Sequence, residues 1–423
     1  MAGHNSGRNI LIGLTAGAML GIVARLIAAG NAWLPWLIEH LTLPIGQIFM
    51  RLLFMLVVPL LFSALVIGVQ GLDVRHLGRL GVRMLVYTAV MSLIAVSIGI
   101  SLVNGLQPGV GLPDTVRDSA LTQGSVTAPP NQADASGASF FVSMFPDNPV
   151  KAASNGDMIG VILFALFFGV ALSFTRTSAA RQLSEVIQGI YEVSMTLING
   201  VLKLAPLGVG ALIFTMTVRL GADIFVPLLA YVGVVLLGLG LHMFVVYPLS
   251  VFFLGKRSPL VFFKDIRLVM TTAFATASSS ATLPTALKVA EEDLQLTPHI
   301  SRFVLTAGSA MNQNGTALFE GVTVLFLAQV FGVHLAVSEQ LTIMAICVLG
   351  GIGTAGVPAG SIPVIAMILV KYHIPVEGLA LIMGVDRFLD MCRTTLNVTG
   401  DLVAAVYLTQ SEADAGINGV RVD

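Results

Sequence analysis

Apolar residues run along this chain in long blocks broken by short polar islands. The blocks cover 9–29, 42–71, 82–106, 157–175, 198–217, 224–254, 295–332 and 376–408. Each reaches or exceeds the ~20 residues that a helix needs to cross hydrocarbon. Backbone groups inside a bilayer must bond within their own segment, so such runs predict helices. The pattern therefore predicts an all-α membrane protein with about eight transmembrane helices, several long enough to need a tilt or a break. The first run lacks a convincing cleavage site and is expected to stay as a span.

Two segments depart from this pattern, because short apolar stretches flank small, polar tips. Leu260 to Thr276 leads into the serine-rich stretch Ser278 to Pro284 and a second short helix ending near Glu292. The first arm extends ~25 Å at most, short of a full crossing. Leu341 to Leu349 leads into the glycine-rich stretch from Gly350 to Ser361, and apolar sequence resumes to Leu369. Both read as re-entrant hairpins, since non-helical backbone at membrane depth survives only where protein or a water-filled cavity covers it. Between them, Asn312-Gln313-Asn314-Gly315-Thr316 interrupts the seventh run, and its Asn-Gly step predicts a discontinuous helix.

The last run carries the densest chemistry. Asp386, Asp390, Arg393, Asn397 and Asp401 fall within a sector of roughly 80° on one helical face, at ~100° per residue. Ionised groups facing lipid cost several kcal/mol each, so this stripe must face protein, water or ligand. A structural Asp-Arg pair between helices is the alternative. Hairpin, broken helix, hairpin and charged helix together form an arrangement whose half-helix ends and freed carbonyls can bind an anion and cations near the midplane.

Bulk composition agrees with a bilayer environment. The chain has 423 residues, 56% hydrophobic and 11% charged, and its mean hydropathy is +0.90. A formal net charge of -1 offers nucleic acid no basic surface. Arg75, Arg79 and Arg83 follow the second run, Arg176 and Arg181 the fourth, and Lys256 and Arg257 the sixth. By the positive-inside rule both termini are expected in the cytoplasm, in a cell (inner) membrane. The stretch from Gln107 to Asp157 is rich in Gly, Pro, Ser, Asn and Asp and reads as an extracytoplasmic loop. Cys347 and Cys392 lie in apolar segments, which points to packing rather than a disulfide or a metal cluster.

The motifs occur in the order found in the glutamate transporter family, the dicarboxylate/amino acid:cation symporters, and the chain resembles that family over nearly its whole length. The matching stretches are the tip Ser278 to Pro284, Asn312 to Thr316 beside the family's Asn-Met-Asp-Gly-Thr, the tip Gly353 to Pro358, and the terminal series Asp390, Arg393, Thr394, Asn397 and Asp401. The resemblance implies an elevator fold and a homotrimer in the lipid bilayer. Its scaffold would comprise 1–81 and 157–221, the latter carrying the trimer contacts, and its mobile transport domain 82–106 and 222–410. Within the latter lie a first hairpin (258–293), the broken helix (295–332), a second hairpin (338–371) and the charged helix (375–408). The loop 107–156 would join the two domains, and 411–423 would form a cytoplasmic tail. The second hairpin would gate the site from outside.

Substrate chemistry follows from residue types and from the resemblance together. Arg393 offers a planar fork of donors suited to a carboxylate, and Asp390 would neutralise an amine. Thr394, Asn397 and Thr316 can bond the remaining carboxylate oxygens, with main-chain donors at Ser278, Ser279 and Ser280 and at Val357 and Gly360 of the outer tip. A ligand with one amine and two carboxylates fits this set, so aspartate or glutamate is expected. C4-dicarboxylates form the alternative.

The resemblance also bears on the coupling ions. Asn312, Asn397 and Asp401 match one sodium site, where hard oxygens would surround the ion. A second is degenerate, with Asn314 in place of an aspartate and Met91 in place of a threonine, although Ser92 remains. Ala310 and Gln313 alter a third. Glu320 stands where proton-coupled members carry a glutamate, on the face of Asn312 and Thr316. Proton-driven symport is expected, with sodium as a further candidate ion and no cofactor; sodium-coupled symport is the alternative.

Other classes fit less well. A serine hydrolase would need a base near Ser278 to Ser280, and His242, the only mid-span histidine, has no nucleophile motif near it and reads as packed or helix-bonded. A pump would need a nucleotide loop that Gly255 to Ser258 does not supply. No enzyme activity is expected. A substrate-gated channel differs from a carrier in steady current rather than in residues.

Overall fold

The computed structural model describes residues 2–28, 33–70, 78–110, 145–155, 158–221, 225–353 and 361–414. Arg75, most of the expected loop at 107–156, the outer tip with Val357 and Gly360, and the tail from 415 lie outside the described residues. Regular structure among the described residues is helical throughout.

The N-terminal part contains α1 (Ala2–Ala28), α2 (Trp33–Leu37), α3 (Leu43–Phe54), α4 (Val57–Gln70) and α5 (Gly78–Leu106). After the loop come α6 (Pro149–Ser154), α7 (Met158–Phe174), α8 (Ser178–Leu202) and α9 (Ala205–Leu220). The long sixth run is α10 (Phe225–Leu241), a π-helical turn His242–Val246, and α11 (Tyr247–Phe253). Among the described residues, Arg79–Leu106, Phe225–Phe253 and Pro298–Phe331 are long and apolar enough to cross a membrane. The first, fourth and fifth runs contain shorter apolar helices, Ile12–Ile27, Gly160–Phe174 and Ala205–Arg219.

Prolines explain the departures from straight spans. The predicted run 42–71 is divided between Phe54 and Val57; Pro59 has no N–H for the carbonyl one turn before it. The two π-helical turns, Ile38–Thr42 and His242–Val246, each end one residue before Leu43-Pro44 or Tyr247-Pro248. In each, the residue preceding the proline donates its N–H five residues back, to Ile38 or His242. A widened turn accommodates the missing donor.

The first predicted hairpin segment is interrupted at its tip, and the second is described on either side of its own. The first is α12 (Pro259–Asp265), α13 (Arg267–Thr276) and α14 (Ser279–Glu292). Its tip turns at Ala277, in the left-handed region at φ 47°. The second contributes α17 (Val337–Gly353) and α18 (Ser361–Lys371). Between them stand α15 (Pro298–Met311) and α16 (Asn314–Phe331), and the chain's charged helix is α19 (Leu379–Asp414), which runs past the predicted end at 408.

Packing groups the helices into two neighbourhoods, which touch along α19 and where α17 meets α4 and α7. In one, α1 lies along α9, with α3 on α9 and α4 against α7 and α8. A Cβ at Gly13 or Gly17 would strike the main chain of Pro206 or Gly210, so glycine permits the close crossing of α1 and α9. In the other, α16 is surrounded by α5, α10, α17, α18 and α19. Its residues are buried on every side, as a helix without a polar face requires. The end of α19 is fastened by Arg83 Nη1 to Glu412 at 2.8 Å and by Lys256 Nζ to Asp414 at 2.9 Å.

Candidate functional site

The polar stripe of α19 turns inward as its spacing requires. Asp386, Asp390, Arg393, Asn397 and Asp401 are all buried, and their contacts outside α19 are with the broken helix and α18. Arg393 is the centre of the upper half. Its Nη2 donates to Asp386 Oδ1 at 2.8 Å and to Asp390 Oδ1 at 3.1 Å. Its Nη1 donates to Ser361 Oγ at 3.0 Å, at the start of α18. The guanidinium carbon lies 3.8 Å from the centroid of the Phe319 ring, a cation–π contact strengthened by the dry surroundings. Nε has no partner. Arg387 Nη1, at the stripe's edge, is 3.7 Å from Asp390 Oδ2.

The broken helix supplies the lower half. The prediction put its break at the Asn-Gly step, but the chain leaves helical geometry earlier, at Asn312 (φ -97°, ψ 68°) and Gln313 (φ -105°, ψ 53°). Asn314 and Gly315 instead open α16. The reason is that α19 offers partners there: Gly315 N–H donates to Asn397 Oδ1 at 2.7 Å, and Asn312 Nδ2 to Asp401 Oδ1 at 3.0 Å. A Cβ at Gly315 would press on the Arg393 carbonyl, so the first turn of α16 can seat against α19 only with glycine there.

Asn397 is bonded on both sides of its amide. Its Nδ2 donates to Gln313 Oε1 at 2.5 Å and to Thr316 Oγ1 at 3.1 Å. Thus Thr316 is bonded to Asn397 and Asn312 to Asp401, while Asn312 Oδ1 stays buried without a protein partner. Around Asn314 the contacts are neutral. Ser92 Oγ donates to Asn314 Oδ1 at 2.7 Å, and Asn314 Nδ2 donates to Tyr247 Oη at 3.1 Å.

Glu320 is fully buried one turn beyond Thr316, and neither carboxyl oxygen has a hydrogen-bond partner. It lies beneath the second hairpin: a Cβ at Gly350 would come 3.2 Å from Oε2 and 3.0 Å from Val364 Cγ1. The first hairpin presents Ser278 as the N-cap of α14, its Oγ accepting from Ala281 N–H at 3.2 Å. Ser279 is buried and Ser280 exposed. Thr394 is buried beside Arg393. Val357 and Gly360 lie outside the described residues.

Several participants carried no role, or a different one, in the sequence. Asp386 was legible only as a member of the stripe. Gln313 had a signal, an amide inside an apolar run. Ser361, Phe319 and Tyr247 had none, because their partners are distant in sequence. His242 is packed as expected, its ring edge-on to Tyr247 with centroids 4.7 Å apart. It has no side-chain hydrogen bond.

What the arrangement can do is specific. Two carboxylates crowd one end of a buried guanidinium, and the donors at its other end are free or held by a single hydroxyl. Such a guanidinium can take a carboxylate through the second Nη1 proton, and Asp390 beside it can take an ammonium group.

The chain matches the model of the Sodium:dicarboxylate symporter family over residues 8–411. It is 32% identical to the proton/sodium-glutamate symport protein of Bacillus caldotenax, over 94% of this chain and 93% of that protein. It is 31% identical to the proton/glutamate-aspartate symporter of Escherichia coli K12, over 89% and 86%. Against human excitatory amino acid transporter 2 the identity is 30%, over 96% and 80%.

Proposed function

Because this chain belongs to the Sodium:dicarboxylate symporter family, we propose that it is a multi-pass secondary symporter that moves glutamate and aspartate across the cell inner membrane, driven by protons with sodium as an accessory ion. One observation carries the reading of substrate: Arg393, 2% exposed in its side chain, is held at one nitrogen by two carboxylates of its own buried helix face. Arg393 keeps buried donor capacity unused, which is costly and supports an anion as the further partner. The side-chain carboxylate of the substrate would bind Arg393, its amine Asp390. Thr316, Thr394, Asn397, the Ser278 to Ser280 tip and the outer tip at Val357 and Gly360 would complete the shell. The names of the bacterial relatives support this substrate class.

Coupling to protons rests on Glu320, a carboxyl with no cationic partner in contact beneath the second hairpin. Sodium would use Asn312, Asn397 and Asp401, two of which bond groups at the helix break: Asp401 to Asn312 and Asn397 to Gly315. Ser92 and Asn314 form the degenerate site. The two packing neighbourhoods support a division into a scaffold (1–81, 157–221) and a transport domain (82–106, 222–410) moving as an elevator within a homotrimer. The second hairpin would act as the outer gate, with both termini in the cytoplasm.

Reconstituted protein in liposomes tests the reading directly. Labelled glutamate and aspartate should accumulate when the exterior is made acid, in preference to succinate, and an inward sodium gradient should add to that accumulation. Accumulation of succinate alone, or steady current without accumulation, would refute it.

A further inference from the structure

Four polar groups from four separate parts of the chain form one uncharged, fully bonded series beside the helix break. Ser92 Oγ on α5 donates to Asn314 Oδ1 at 2.7 Å. Asn314 Nδ2, at the first residue of α16, donates to Tyr247 Oη at 3.1 Å. That hydroxyl donates in turn to the main-chain carbonyl of Leu396 on α19, at 3.2 Å. All three side chains are 0% exposed. The sense of each bond is fixed by chemistry: a carbonyl only accepts, so the phenol must donate to it, and the amide must then donate to the phenol.

Two features show that the fold makes room for this hydroxyl. A Cβ at Gly400 would collide with Tyr247 Oη, so the helix that carries the charged stripe has a notch where the phenol enters. The Leu396 carbonyl lies in the interior of α19, where the helix already uses it, so the phenol is a second partner. On the opposite side the Tyr247 ring is braced edge-on by His242, and the π-helical turn between them sets the angle at which α11 presents it. Proline explains why that turn is wide, but not why a tyrosine with a satisfied hydroxyl follows it.

The geometry points to Tyr247 as a positioning residue for the substrate site: its hydroxyl, with Asn314 and Ser92, forms a neutral latch that pins the start of α16 against α19. The consequence is local. Gly315, next to Asn314, donates to Asn397, and Asn397 holds Thr316. Arg393 is one turn before Leu396 and Asn397. Releasing the latch would let the first turn of α16 drift from α19, taking Thr316 out of register with Asn397 and Arg393. Tyr247 itself need touch no substrate. This inference rests on the proposed acidic amino-acid site.

Tyr247→Phe removes one oxygen and keeps the ring, so the packing against His242 survives. In proteoliposomes under an acid-outside gradient, it should raise KM for glutamate and aspartate about tenfold, with a smaller change in Vmax. In detergent, the rise in melting temperature on adding a fixed concentration of glutamate should shrink, while the melting temperature without ligand stays within a few degrees. Ser92→Ala, which frees only the outer end of the series, should move KM less. Unchanged KM and an unchanged glutamate-induced shift in Tyr247→Phe would overturn the latch. So would a lowered ligand-free melting temperature with unchanged KM, which marks a merely structural tyrosine. If the wild type takes up neither amino acid, the substrate reading fails instead.

Discussion

Asp386 Oδ1 lies 2.8 Å from Arg393 Nη2, seven residues away on the same buried helix. Asp390 bonds the same nitrogen. Two carboxylates on one nitrogen fix the guanidinium from one end, and Ser361 alone engages Nη1 while Nε has no partner. The fork is thus oriented without being saturated. Phe319 stacked on its face removes the remaining freedom to rotate. The alternative of an Asp-Arg pair and the reading of a substrate fork are therefore not exclusive, because the pair is what aims the fork.

Asp386→Asn should weaken glutamate and aspartate binding although Asp386 is assigned no contact with either. Removing one partner of a buried pair typically costs about 3 to 5 kcal/mol, and the surviving bond to Asp390 reduces that here. A fall in affinity of about tenfold is expected, since each 1.4 kcal/mol is a factor of ten. Isothermal titration on purified protein measures it. Affinity equal to wild type would show that Asp390 and Ser361 orient Arg393 by themselves.

Arg393→Ala leaves Asp386 and Asp390 buried with no cation between them, and should abolish saturable uptake of both amino acids. The companion change Asp390→Ser should lose amino acids and bring uptake of succinate, because it removes the acid facing the amine and keeps the fork. Competition assays with the three ligands decide between the two roles. Retained amino-acid selectivity in Asp390→Ser would place amine recognition elsewhere.

The stripe was legible because a period of 3.6 residues is a property of one helix, and all five of its members are buried as their spacing demanded. The break in the seventh run was legible in kind but displaced: Asn-Gly is a local signal, whereas Asn397 and Asp401, which accept the freed groups, are more than eighty residues downstream. Ser361 on Arg393 and Tyr247 on Asn314 were hidden for the same reason. Nothing in the local sequence of a tyrosine beside a proline states which carbonyl its hydroxyl will find. The outer tip was readable as glycine-rich, yet glycine count specifies freedom and not position.

Glu320→Gln should preserve exchange of internal for external glutamate and uncouple net uptake from the pH gradient. The amide keeps the shape under Gly350 and Val364 and loses the titratable proton. Counterflow should proceed at near wild-type rate in Glu320→Gln, while acid-outside accumulation falls to the level of gradient-free vesicles. Accumulation that still follows the pH gradient in the variant would remove Glu320 from the proton path.

Asn314→Asp tests whether the neutrality of the degenerate site decides the ion used. In the wild type both ends of the amide are matched to neutral partners, Ser92 as donor and Tyr247 as acceptor. A carboxylate there would turn the Tyr247 contact from donor–acceptor to acceptor–acceptor unless the phenol abandons Leu396. It would also add a charge to a place with no exposure, where desolvation costs several kcal/mol per ion. A cation relieves both effects, and oxygens stand ready: Asn312 Oδ1 and, one turn along α5 from Ser92, Thr88 Oγ1 are buried without partners. Uptake by Asn314→Asp at clamped pH should therefore depend steeply on sodium and nearly vanish in choline. The wild type, driven by an acid-outside gradient, should retain most of its uptake in choline. A variant that transports in choline as the wild type does would show that the amide is not what excludes the ion.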